Sequence, residues 1–132
     1  MHAFYEFELV RGEDRSIPMT FWYRDPETGD KEVVKLTDYG FLMVIQDKHS
    51  GNELARLSTD DDNILLGEMI DRVFVEAGDE KEATSLLINI SHEMTKNFDC
   101  PKAVFDLFLL SGDIRQCVMT GVIRVTRGCS YD

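Results

Sequence analysis

The stretch that decides the fold class is residues 103–125, AVFDLFLLSGDIRQCVMTGVIRV. Ala103-Val104-Phe105-Asp106-Leu107-Phe108-Leu109-Leu110 is a strand-forming run. Ser111-Gly112-Asp113 is a tight-turn signal, and residues 115–125 read as the return strand, with Gly121 expected at a bulge.

Working outward, the same grammar recurs. Upstream, residues 84–91 read as a strand with Leu86, Ile88 and Ile90 on one face. Residues 92–97 are expected to form a helical turn. At the other end of the chain Tyr5, Phe7 and Leu9 alternate with Glu6 and Glu8. Ile17, Met19, Phe21 and Tyr23 alternate with Pro18, Thr20, Trp22 and Arg24. Pro18 has no N–H for a ladder and marks an edge or a strand start. Asp25-Pro26-Glu27-Thr28-Gly29-Asp30 is dense turn chemistry, so a hairpin to residues 31–36 is expected. Tyr39-Gly40-Phe41-Leu42-Met43-Val44-Ile45 is apolar on both faces, which suits a central strand. A turn at residues 47–52 leads to a strand at 54–58.

Residues 63–77 admit two readings. Leu66, Met69, Ile70, Val73 and Ala77 have helical spacing, with Asp62 or Asn63 as cap. Gly67 inside the run and the segment Arg72-Val73-Phe74-Val75-Glu76 favour a strand over 70–76.

Eight or nine short strands separated by Gly-containing turns, without strand–helix–strand alternation, point to an antiparallel sandwich or barrel. At 132 residues the chain fits a single domain over 1–132 with one real core. At most one short helix is expected, near 63–77 or 92–97.

Charge adds a second layer. The formal net charge is −11. Residues 60–82 contribute −7 of it, through Asp60, Asp61, Asp62, Glu68, Asp71, Glu76, Asp79, Glu80 and Glu82 against Arg72 and Lys81. This balance argues against direct nucleic-acid binding and against an anionic membrane as partner, since both need clustered Lys and Arg. The acidic stretch reads as a solubilising loop or as a face for a basic partner.

Chemical motifs are sparse. The segment at residues 1–6 has neither the basic nor the apolar region of a secretory signal. Cys100, Cys117 and Cys129 lack CxxC spacing and read as reduced thiols. Asp60-Asp61-Asp62-Asn63 falls short of a calcium loop, because positions six and twelve are Leu65 and Asp71. Glu8, Asp38, His92, Glu93 and Asp106 are the candidate acids and bases, and nothing in their spacing pairs them. No cofactor, metal or catalytic residue is expected.

The ordered segments Phe7-Glu8-Leu9-Val10-Arg11-Gly12-Glu13, Lys35-Leu36-Thr37-Asp38-Tyr39-Gly40-Phe41, Gly51-Asn52-Glu53-Leu54, Ile90-Ser91-His92-Glu93-Met94-Thr95, Phe105-Asp106-Leu107, Ser111-Gly112-Asp113 and Thr120-Gly121-Val122-Ile123-Arg124-Val125 resemble phage virion proteins. More narrowly they resemble the N-terminal domain of phage baseplate upper proteins. The likeness spans roughly residues 5–127 and departs at 60–83, an acidic, insertion-like segment. The resemblance implies an immunoglobulin-like sandwich without catalytic activity. It implies a structural adaptor or anchor in a tail, baseplate or fibre attachment, made in the host cytoplasm and carried in the virion. Its partners would be other virion proteins, and it would form a homo-oligomer. The second reading is an acidic phage-encoded inhibitor or binding module that docks a basic host protein. The contact candidates are Trp22, Asp60, Asp61, Asp62, Asp79, Glu80 and Glu82.

Overall fold

A computed structural model describes residues 3–78 and 82–127. Asp79, Glu80 and Cys129, singled out above, lie outside the described residues. Eleven strands and one short helix are present among the described residues. Sheet one is built from β1 (Ala3–Val10), β5 (Gly40–Asp47), β6 (Glu53–Ser58), β10 (Lys102–Ser111) and β11 (Ile114–Thr126), in the order β1-β11-β10-β5-β6. Sheet two holds β2 (Arg15–Thr20), β7 (Ile64–Ile70), β8 (Val73–Glu76) and β9 (Ser85–Ile90), in the order β2-β9-β7-β8. A ribbon of β3 (Trp22–Arg24) and β4 (Lys31–Val33) stands apart from both.

The two sheets close over one core. Phe7, Leu9, Phe41, Met43, Ile45, Leu57, Phe105, Leu107 and Ile123 come from sheet one, and Ile17, Ile64, Leu86, Ile88 and Ile90 from sheet two. These are the residues on the buried phase of the period-two pattern. In a two-layer sandwich each sheet buries the face that its alternation makes apolar. The placement of β2, β9 and β7 against β11, β10, β5 and β6 follows the B-E-D and G-F-C-C′ arrangement of immunoglobulin-type sandwiches.

Several expectations need correction. Among the described residues the strands number eleven rather than eight or nine, because two of the runs are divided. The run from Ile17 to Tyr23 breaks at Phe21, so Ile17 and Met19 belong to a sheet and Trp22 to the ribbon. The expected strand over 31–36 stops at Val33. Residues 63–77 form a β7–β8 hairpin whose two-residue turn is Asp71-Arg72, so the strand expected over 70–76 spans that turn. Both turn residues have positive φ, 50° and 70°, as a type I′ turn requires. Neither is Gly or Asn, which is why the turn is silent in the sequence.

The sandwich is not wholly antiparallel, for β1 runs parallel to β11 with Tyr5 opposite Gly121. Nor is Gly121 a bulge. The register shift in this hairpin lies at Leu107/Phe108, where Met119 and Cys117 are the successive partners and Val118 is the extra residue. Gly121 sits in regular ladder between β1 and β10. The Phe105 ring and the Tyr5 carbonyl occupy the space a Cβ would need. Pro18 does lie on an edge strand, β2.

The helical turn is α1 (His92–Thr95), capped by Ser91, whose side chain accepts from Met94 N at 3.3 Å. Thr95 is fully buried, and its hydroxyl accepts from Gly12 N (3.0 Å) and donates to Glu13 O (2.9 Å). That one side chain ties α1 to the β1–β2 turn.

Candidate functional site

Trp22 is presented by a small ribbon whose rigidity comes from its turn. Asp25 Oδ1 accepts from Glu27 N (2.8 Å) and Gly29 N donates to Asp25 O (2.8 Å). Gly29 takes φ +76°, the left-handed conformation glycine adopts without strain. Isolated two-stranded hairpins are marginal in water. Val34 N donating to Phe21 O (2.9 Å) adds one rung to its ladder, and Phe21 stacking on Phe41 at 6.4 Å between ring centroids holds it to the body.

The result is an aromatic end. Trp22 and Tyr23 are each 50% exposed, and Lys31 Nζ lies 4.7 Å from the Trp22 ring centroid. The Tyr23 hydroxyl donates to Glu32, which raises the phenol above its ordinary value, first by that hydrogen bond and then by the Glu32 charge. Trp22 divides two clefts. One, of about 480 Å³, is lined by Tyr5, Pro18, Met19 and Lys31 among others. The other, of about 490 Å³, reaches Leu36, Phe41 and Leu109. Both are open to solvent and mainly apolar. Tyr5 was expected inside, yet at this end of β1 it is 39% exposed, and Phe4 beside it is 65% exposed.

Among the described residues, Asp60, Asp61 and Asp62 lie apart from Glu82. Asp60, Asp61 and Asp62 occupy the β6–β7 turn, where Asp61 N donates to Ser58 Oγ (3.1 Å) and Ser58 Oγ donates to Asp61 Oδ2 (3.1 Å). Glu82 pairs with Lys35 at 3.3 Å. The first group adjoins Asn63, whose carbonyl accepts from Asn89 N, and Glu82 lies near Thr84, which donates to Gly67 O. Asn63 and Gly67 are four residues apart along extended chain, roughly 13 Å. Among the described residues, the Asp60–Asp62 group and Glu82 are therefore anchored at separate points along β7. Among the described residues no three His, Cys, Asp or Glu side chains are placed to hold a metal ion.

Other titratable groups are engaged with neighbours in the fold. Asp14 is held below its ordinary value, first by the His92 backbone N–H (2.6 Å) and then by the His92 ring (3.0 Å). His92 and Glu93, two of the candidate acids and bases, are thus engaged with Asp14 and Lys96. Asp106 is half-buried on the outer face of β10, opposite Val44 and Thr120. Burial raises the Cys100 thiol.

The β7–β8 hairpin is the feature that sequence reading missed. Ile70, Val73 and Val75 are 45%, 61% and 36% exposed. With Asp71-Arg72 unrecognised as a turn, their common exposed face had no sequence signal. Comparison with protein-family models finds no matching family, and comparison with curated proteins finds no matching relative.

Proposed function

We propose that the chain is a non-enzymatic structural protein of a phage particle, an adaptor or anchor in the tail, baseplate or fibre attachment. The observation that carries this reading is the aromatic end. Trp22 and Tyr23 stand half-exposed on a ribbon that belongs to neither sheet, beside Tyr5 and between two apolar clefts. Exposed aromatic surface of this kind marks contact with another macromolecule, and Trp and Tyr are favoured anchors in such contacts. The ordered resemblance to virion proteins supplies the kind of partner. The acidic segment supports the inhibitor reading less well, because Glu82 already pairs with Lys35 and lies away from Asp60, Asp61 and Asp62.

The test is capture of neighbouring virion proteins by photo-crosslinking from position 22 in assembled particles. Crosslinks to tail, baseplate or fibre components support the reading. Crosslinks from Trp22 to a basic host enzyme, with none to virion proteins, would replace it by the inhibitor reading.

A further inference from the structure

We propose that edge strand β8 pairs with β8 of a second copy of this chain. The four-stranded sheet would continue across a two-fold axis at Val75. The inference deepens the assembly reading by naming the strand through which copies meet, and it has its own test.

The four sheet edges are not alike. Unpaired edges invite pairing with another chain, and folded proteins blunt them with proline, charge or irregularity. Edge strand β2 contains Pro18. Edge strand β1 carries Glu6 and Glu8, both close to Arg124 at 3.3 and 3.4 Å. Edge strand β6 carries the Glu53–Arg56 ion pair (2.7 Å) and a register irregularity at its partner Ile45/Gln46. Edge strand β8 reads Val-Phe-Val-Glu, with no proline and with Glu76, at its end, as its one charge. Its valines, with Ile70 alongside, are the exposed apolar residues noted above.

The backbone phase of β8 fixes which groups face outward. Ala77 N donates to Leu66 O at 2.9 Å. With Gly67 opposite Glu76 and Ile70 opposite Val73, the inward-bonded pairs are Leu66/Ala77, Glu68/Val75 and Ile70/Val73. The N–H and C=O of Phe74 and Glu76 therefore point to the open edge. Within β8, one antiparallel register satisfies both residues in both copies. It sets Phe74 opposite Glu76 of the second copy, makes four N–H···O bonds, and places Val75 on the axis.

Side chains agree with that register. Val75 meets Val75 of the second copy as a non-hydrogen-bonded pair, whose Cα atoms lie roughly 4.5 Å apart. Val73 and Ile70 of each copy extend the same apolar strip. Arg72, the turn residue that precedes β8, falls on the diagonal to Glu76 of the second copy, where neighbours lie roughly 7–8 Å apart, within reach of a guanidinium. A four-residue strand buries less than the roughly 1,200 Å² of a standard interface, so the pairing is concentration-dependent. Two chains of −11 repel, so added salt strengthens it.

The test uses the full chain with Cys117→Ser and Cys129→Ser, leaving only buried Cys100. In this background Val75→Cys should oxidise to a disulfide-linked dimer, and Val73→Cys should not, because residue 73 faces residue 77 of the second copy. By sedimentation equilibrium the parent chain should self-associate. Val75→Lys should weaken that association roughly tenfold or more with an unchanged circular-dichroism spectrum. A parent that stays monomeric, a Val73→Cys chain that crosslinks as fast as Val75→Cys, or a Val75→Lys chain that associates as well as the parent would each overturn the proposal. Presence of the chain in particles without Val75 crosslinking would refute the strand pairing and leave the assembly reading standing.

Discussion

Replacing Gly121 by alanine tests the most unusual feature of the sandwich, its parallel first strand. In the structure a Cβ at 121 would lie 2.5 Å from Phe105 Cζ, and closer still to Phe105 Cε1 and the Tyr5 carbonyl oxygen. Carbon atoms pack comfortably at about 3.5–4.0 Å, so about an ångström of movement is required. The Phe105 ring is 2% exposed and packs on Phe7 at 5.7 Å between centroids, so it has little room to yield. The other obstacle is backbone of β1. Overpacking of this kind costs about 1–3 kcal/mol, occasionally more. Alanine recovers about 0.5–1 kcal/mol of the conformational entropy glycine loses in a strand. Because one clashing atom is main chain, the upper half of the range applies, and a net loss of about 2 kcal/mol is expected. With a urea m-value of about 1–3 kcal/mol/M the midpoint should fall by about 1 M. Gly78→Ala is the control, since no atom lies within 4 Å of its Cβ position. It should stay within about 0.5 kcal/mol of the parent. A Gly121→Ala midpoint equal to that of the control would refute the β1–β11 pairing and the ring placement together.

Other outcomes follow from single residues. Thr95→Val keeps the shape but orphans Gly12 N–H and Glu13 C=O, so a loss of about 1–3 kcal/mol by chemical denaturation is expected. Arg72→Gly relieves a left-handed residue in the type I′ turn and should raise stability by up to about 1 kcal/mol, read as a higher melting temperature. Asp14 is depressed in the fold, so its contribution is full above the unfolded value of 3.8 and is lost as pH falls through the lower folded value. Asp14→Asn should therefore flatten the acid limb of the stability curve below about pH 4, measured by urea titration at several pH values. Cys100, buried and with its thiol raised, should resist a thiol reagent in the native state and react on unfolding, followed by peptide mapping.

Much of the architecture was legible because it is carried by local alternation. Phe7 and Leu9, Ile17 and Met19, and Leu86, Ile88 and Ile90 all point inward as their spacing demands. Glycine and proline marked the turns at 25–30, 47–52 and 111–113. What stayed hidden depends on contacts distant in sequence. The direction of β1 against β11 is set by pairing over more than a hundred residues. The role of Gly121 depends on Phe105 across the ladder, and the β7–β8 turn uses Asp71-Arg72 where Gly or Asn would have announced it. For the candidate site, Trp22 was legible as an outward aromatic. Its isolation on a ribbon was not, because Phe21 leaves the sheet to stack on Phe41. The acidic run looked like one face because adjacent residues share sign, whereas β7 separates its two described parts.

Quantitative mass spectrometry of purified particles from the genome that encodes this chain tests the proposed role, contact within a phage particle. Peptides of this chain are expected in fixed stoichiometry with tail, baseplate or fibre proteins. Particles that lack the chain while infected cells contain it would rule that role out.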